Sequence, residues 1–266
     1  MTAIITEKFR AHNANQFFES FTEAARNTYY LMIGKATAFS SGTSGGTDDS
    51  PPTPADDISS EFYTWDSAIA AKKIASTNIT YAIPRRDWAN GTIYDMYEDN
   101  ISSSNATTSG ATNIFDSTFF FRTSDNRVYK VLDNNGGSAY SGAEPTSEST
   151  STFVLGGYTL KYMYSITASE QASYLTTDFM PVSTDSTVSS AAVDGSISSI
   201  IVTNTGSGLT NGTYYAAVYG DGTSAGTSSG AIIKISVASN VISAVSTGNT
   251  GIQQAGAGYT FGTVNL

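Results

Sequence analysis

Tyr158-Thr159-Leu160-Lys161-Tyr162-Met163-Tyr164-Ser165-Ile166 alternates large apolar side chains with Thr, Lys, Met and Ser along its whole length. A period of two sends successive side chains to opposite faces of a pleated strand, so this stretch reads as a strand with one aromatic face and one mostly polar face. It sets a β reading for the chain around it. Upstream, residues 117–122 and 127–132 read as two further strands, and Gly136-Gly137 opens a loop that runs over 138–151. Downstream, a helical turn over 168–175 precedes the short extended run Phe179-Met180-Pro181-Val182.

Composition agrees with that reading. The 266 residues include 16 Tyr, 13 Phe and 24 Gly, with only 14% charged residues. Aromatic side chains fit a half-buried pleated surface and Gly fits turns, while so few charges disfavour long solvated helices and charge-driven disorder. A net charge of −10 repels a phosphate backbone, so no nucleic-acid partner is expected. There is no Cys and one histidine, His12, which removes thiolate and imidazole metal sites; no metal and no cofactor are expected. No run approaches the roughly 20 apolar residues that span a bilayer. Residues 1–14 carry charges without the apolar core of a signal peptide, so no membrane contact and synthesis in the cytoplasm are expected.

Working back to the start, residues 3–9 read as a strand, and residues 13–25 as a helix in which Phe17, Phe18 and Phe21 form a stripe for packing on a sheet. Residues 28–35 read as a buried strand ended by Gly34. Residues 40–60, with Asp48-Asp49, three prolines and Asp56-Asp57, read as a long exposed loop rather than a cation cage. A second helix is expected over 65–75 and a strand over 78–83; Asn90-Gly91 is a turn signal, a strand resumes over 92–97, and 100–113 is a polar loop. From Ser183 the composition changes to Gly-, Ser- and Thr-rich turns between short apolar runs, and it repeats. Ile197-Ser198-Ser199-Ile200 before Gly206-Ser207-Gly208-Leu209-Thr210 is echoed by Ile242-Ser243-Ala244-Val245 before Gly256-Ala257-Gly258-Tyr259-Thr260. The expected organisation is therefore mainly β with a few short helices: a β-sandwich-like domain over 1–185 and a small Gly-rich β module with pseudo-repeats over 186–266.

Chemistry is sparse. A Ser-His-Asp triad would depend on His12, and no G-x-S-x-G elbow presents a serine. Asp95, Glu98 and Asp99 cluster just after a turn and supply the only carboxylates weighed for glycosidase work, though an exposed acidic rim is the simpler reading. Gly206, Gly208 and Gly212 precede no helix and form a turn, not a dinucleotide site. The best specified constellation is Pro84-Arg85-Arg86-Asp87-Trp88. Proline ends a strand or places it at an edge, one guanidinium can pair with Asp87, and the other can stack on the Trp88 face. These five residues are taken as an interface or structural signature, not a catalytic one.

The same stretch carries a resemblance. Thr6-Glu7-Lys8-Phe9-Arg10, Phe17-Phe18-Glu19-Ser20, residues 30–34, Trp65, Ile83-Pro84-Arg85-Arg86-Asp87-Trp88, and Gly157-Tyr158 with the strand to Ile166 resemble, in order, the dimeric baseplate wedge proteins of T-even-type contractile-tailed bacteriophages. The resemblance covers roughly the first 185 residues. It implies a non-enzymatic virion protein of the tail baseplate, a mainly β fold with a few helices, a homodimer, and other wedge proteins as partners. Two departures stand against it. The Gly-rich module after Ser183 is outside that family's pattern, and the family's C-terminal portion is absent, which leaves the dimer contacts of that portion open. The alternative is a tail protein binding host glycans through Tyr214, Tyr215, Tyr219 and Tyr259.

Overall fold

The computed structural model describes residues 7–23, 27–34, 47, 49–50, 53, 58, 65–66, 68–98, 101–198, 200, 202–220, 229–244, 251–259, 262–264 and 266. The chain divides into two compact units, Met1–Thr80 and Tyr81–Leu266. It is mainly β: several antiparallel sheets and a few short helices, with no closed barrel among the described residues. No described helix is long and apolar enough to cross a membrane.

In the first unit, helix α1 (Glu7–Glu19) precedes an antiparallel pair of strands, β1 (Tyr29–Gly34) and β2 (Ala68–Ile74). Four expectations change here. Strand β1, expected to be buried, leaves Tyr30, Leu31 and Ile33 more than half exposed, because only β2 pairs with it among the described residues. The helix starts six residues earlier than the spacing suggested, so Glu7 to Phe9 are helical and Asn13 lies inside the helix instead of capping it; residues 3–6 lie outside the described set. The expected helix over 65–75 is instead strand β2 from Ala68 on. Its Ala and Lys residues favour helix locally, but each pairs across to β1, with Tyr30 opposite Lys73 and Leu31 opposite Lys72, and the ladder overrides propensity. Residues 76–78 form a 3-10 turn closed by the Asn78 side chain on the Ala75 amide. The aromatic stripe does pack on a strand: the Phe21 ring lies 5.1 Å from Phe17 and 4.4 Å from Tyr29. Phe21 is buried while Phe17 stays exposed. Most of the expected 40–60 loop lies outside the described residues.

The second unit opens with β3 (Ala82–Pro84) and continues with β4 (Phe120–Arg122), β5 (Arg127–Asp133), β6 (Phe153–Leu155) and β7 (Tyr158–Ser165). Then come α2 (Ala168–Tyr174), β8 (Phe179–Pro181) and α3 (Ser186–Ala191). Strands β4-β5-β7-β6 form one antiparallel sheet, and β3 pairs with β8. The sheet is buried on both faces. Tyr94, Phe121, Tyr129, Val131, Tyr140, Tyr158, Leu160 and Tyr162 make one core; Phe120, Val128, Tyr164, Ile166 and Met180 make another.

The alternating strand is therefore not one aromatic face and one polar face. Val128 pairs with Tyr164 while Tyr129 pairs with Tyr162, so β7 carries an extra residue at Met163. That bulge flips the strand: Tyr158, Leu160 and Tyr162 enter the first core, and Tyr164 and Ile166 enter the second. Residues 92–97 join no ladder; their backbone is met by side chains and by single backbone groups instead of a continuous neighbouring strand. The Tyr158 hydroxyl accepts from the Tyr94 amide, Thr118 Oγ1 accepts from the Asp95 amide, and the Tyr97 amide reaches the Val131 carbonyl.

Strand β6 and helix α3 are additions to the sequence reading. The hairpin between β6 and β7 turns on Gly156 and Gly157, with φ of +62° and +85°, and a Cβ on Gly156 would stand 2.6 Å from the Tyr140 ring. Gly156→Ala is expected to cost about 2–3 kcal/mol, from backbone strain plus displacement of a buried ring, read as a lower urea midpoint. Helix α3 is capped by Asp185, whose carboxylate accepts from the amides of Thr187 and Val188.

The last part contains β9 (Gly212–Ala217), β10 (Tyr219–Gly220), β11 (Ser229–Ala238), β12 (Val241–Ala244), β13 (Ile252–Ala257) and β14 (Gly262–Thr263). Strand β11 is central: β9 lies on one side, and β12 and β13 share the other. Ile233 and Ile235 form its core with Tyr214, Val218 and Ile242 around them. The described strands of this module pair only with one another.

Candidate functional site

The stretch 84–88 leaves the end of β3 and runs beside the end of β4. Pro84 pairs opposite Phe179, and the Arg85 amide donates to the Asp178 carbonyl at 2.8 Å. The chain then turns to Arg122: its amide donates to the Arg86 carbonyl at 2.7 Å, its carbonyl accepts from the Trp88 amide at 2.8 Å, and Asp87 forms a parallel bridge with it. Backbone pairing on both sides fixes where each of the five side chains points.

Asp87 lies between two guanidinium groups. Arg85 donates from Nε at 3.0 Å and from Nη2 at 2.7 Å to Oδ2, while Arg122 donates from Nε at 2.8 Å and from Nη2 at 2.6 Å to Oδ1. Burial acts to raise the Asp87 carboxyl, and the hydrogen bonds from Arg85 and Arg122 overcome it and hold the group below the usual carboxylate range. Arg85 also donates to the Thr176 carbonyl at 2.9 Å, and buried Arg122 to the Asn126 side chain.

Arg86 turns the other way. It donates to the Ser117 carbonyl at 2.8 Å and the Asp116 carbonyl at 3.2 Å, with its guanidinium carbon 4.9 Å above the Phe120 ring. Burial lowers its pKa, against the pull of Asp95 and Asp116. The expected stacking of an arginine on Trp88 is thus made on Phe120. The indole packs into the first core instead, edge-on to Tyr140 at 5.8 Å. Its Nε1 is buried with no acceptor. Trp88→Phe removes that unmet donor along with some apolar contact, and is expected to change stability by less than about 1 kcal/mol in urea unfolding.

Ser117 links this corner to a second carboxylate. Its carbonyl takes Arg86, and its hydroxyl donates to Asp95 at 3.1 Å. Asp95 is completely buried and also accepts from the Ser109 amide and hydroxyl, both at 2.7 Å, and from the Thr118 amide at 2.8 Å. Burial acts to raise its pKa, and these donors bring it below the ordinary value. A sealed carboxylate of this kind faces no cleft, which overturns a glycosidase role for Asp95; Glu98 accepts from Asn105 at 2.8 Å, and Asp99 lies outside the described residues. His12 is exposed in the middle of α1. The four tyrosines weighed for glycan stacking separate: Tyr214 joins the module core and the Tyr259 hydroxyl bonds the Val218 carbonyl, while Tyr215 and Tyr219 are exposed.

Sequence reasoning missed Arg122 as the second cation on Asp87, and missed Ser109, Ser117 and Thr118 as the cradle of Asp95. These partners come from 14 to 35 positions away along the chain. No local pattern marks them, although the burial of an acid between Tyr94 and Met96 was a usable hint.

The geometry is that of a closed corner in which each charged group is satisfied by its own chain. The family model described as Bacteriophage T4, Gp8 matches residues 3–143, more than half the chain, a span that includes residues 84–88 and Arg122. The chain belongs to this family. The matched span of this Gp8 family member ends before the alternating strand at 158–166, so the likeness read there in the sequence lies beyond it. A curated relative, the "Baseplate wedge protein gp8" of Enterobacteria phage T4, is 29% identical over 118 residues, which is 41% of this chain and 35% of the relative. The chain thus aligns with about a third of that relative's length.

Proposed function

We propose that this Gp8 family member is a structural subunit of a contractile phage tail baseplate wedge, with no catalytic role. It works by joining other wedge proteins, as a homodimer within the assembly, in the virion after synthesis in the host cytoplasm. The observation that carries this reading is the family match over 3–143, which includes Pro84, Arg85, Arg86, Asp87 and Trp88. We read those five residues as a fold-holding corner, because the Asp87 carboxylate and both arginine side chains are already engaged by groups brought from β4, from 116–117 and from Thr176. The first unit supports an assembly role of its own: Phe9, Phe17, Tyr30, Leu31, Ile33 and Ile69 are all more than half exposed, and a two-stranded sheet with that much apolar surface gains stability by being covered.

We also read the Gly-rich segment as a separate module on the wedge-type domain. Val188 of α3 packs against the first core, which supports a border just after Ala191, six residues beyond the one expected from composition. Cryo-electron microscopy of the virion tests the central reading. Density for the chain in the baseplate, in pairs, is the expected result; absence from the tail, or a place in the capsid, overturns it.

A further inference from the structure

The arginines of the 81–191 segment are all engaged by acceptors of their own chain: Arg85 and Arg122 by Asp87, Arg86 by two carbonyls, and Arg127 by Asp125 and Glu148. Its lysines are not. Lys130 of β5 and Lys161 of β7 are direct cross-strand partners, so their side chains rise from the same face of the sheet. Neither has a carboxylate within ion-pair distance among the described residues. The Lys130 ammonium is held 3.2 Å from the centroid of the Tyr97 ring, and Tyr97 in turn packs edge-on against Phe119. Burial pushes the Lys130 ammonium down to about 8, and Lys161 opposite adds to that shift.

Like charges set directly opposite each other on a sheet destabilise it, and a partly buried cation is costly without a counter-charge. In a chain of net charge −10, acids to neutralise two lysines are plentiful, yet none of the described ones is within ion-pair distance of either. We propose that Lys130 and Lys161, with the Tyr97 and Phe119 rings beside them, form a docking point for acidic side chains of a neighbouring protein chain. Charge complementarity names the occupant's chemistry: one or two carboxylates, carried on a segment apolar enough to meet the two rings. The inference rests on the baseplate reading and specifies what the partner presents.

Carbodiimide cross-linking of intact particles tests it, since the reagent joins an amine only to a carboxylate in direct contact. The expected product is Lys130 or Lys161 linked to an Asp or Glu of another chain. Recovery of other inter-chain links from this subunit with none at these lysines overturns the docking point. Absence of the chain from tails would instead sink the baseplate reading, and this inference with it. A second measurement uses the isolated chain. Lys161→Met keeps the apolar stem and removes the repulsion, so Tm is expected to rise by about 1–3 °C; no rise, or a fall, overturns the claim that the pair is held at a cost to folding.

Discussion

Asp95→Ala is expected to destabilise the second unit by about 3–5 kcal/mol, the largest effect of any single polar substitution in it. The carboxylate accepts four hydrogen bonds, from the amides of Ser109 and Thr118 and the hydroxyls of Ser109 and Ser117, in a place where water has no access. Alanine leaves those donors unmet and frees the 109–118 segment from the core. Asp95→Asn keeps the shape but brings an NH2 to face donors, so it should recover only part of the loss. Urea unfolding followed by the fluorescence of Trp88, the tryptophan of the second unit, checks both. A cost below about 1 kcal/mol for the alanine variant would show that the cradle closes without the carboxylate.

Asp87→Ala should cost about 2–3 kcal/mol. Arg122 is buried and would retain only Asn126 as a side-chain partner, whereas Arg85 is a quarter exposed and can hydrate. The double replacement Asp87→Ala with Arg122→Leu removes both charges and should be milder than Asp87→Ala alone. That sign of coupling separates an ion-pair role from simple packing. Both carboxylates also set the acid limit. Asp87 and Asp95 have folded-state pKa values below the ordinary 3.8, so their stabilisation is complete above about pH 4 and drains away as pH falls through the folded values. Wild-type stability should drop steeply below pH 4, and the Asp95→Ala variant should show a shallower drop.

The elements legible in the sequence are those whose pattern is carried by their own residues. Strands β5 and β7 and helix α2 stand where the local sequence pattern put them, and the structure adds a Thr167-to-Glu170 capping box at the start of α2. The Asn90-Gly91 turn and the 100–113 loop are likewise local. Strand β2 was not legible, because Ala and Lys residues suit a helix until β1 offers a ladder. Strand β6 was hidden by its length of three residues, although Gly156-Gly157 marked the turn beyond it. Within the corner, Arg85 with Asp87 was readable as neighbours two apart, but Arg122 was not.

The alternating stretch at 158–166 shows where the division lies. Its sequence by itself determined that it is a strand and that its even-numbered residues Tyr158, Leu160, Tyr162, Tyr164 and Ile166 are buried, because a period of two has no other stable reading in water. Only the tertiary structure decided which core receives each of them. The bulge at Met163 is set by the register against β5, and it turns Tyr164 and Ile166 to the opposite side from Tyr158, Leu160 and Tyr162. Register is a property of two strands together, and the same holds for Asp87, which is specified as a charge by its own residue and as a corner only by Arg122 arriving from 35 positions away.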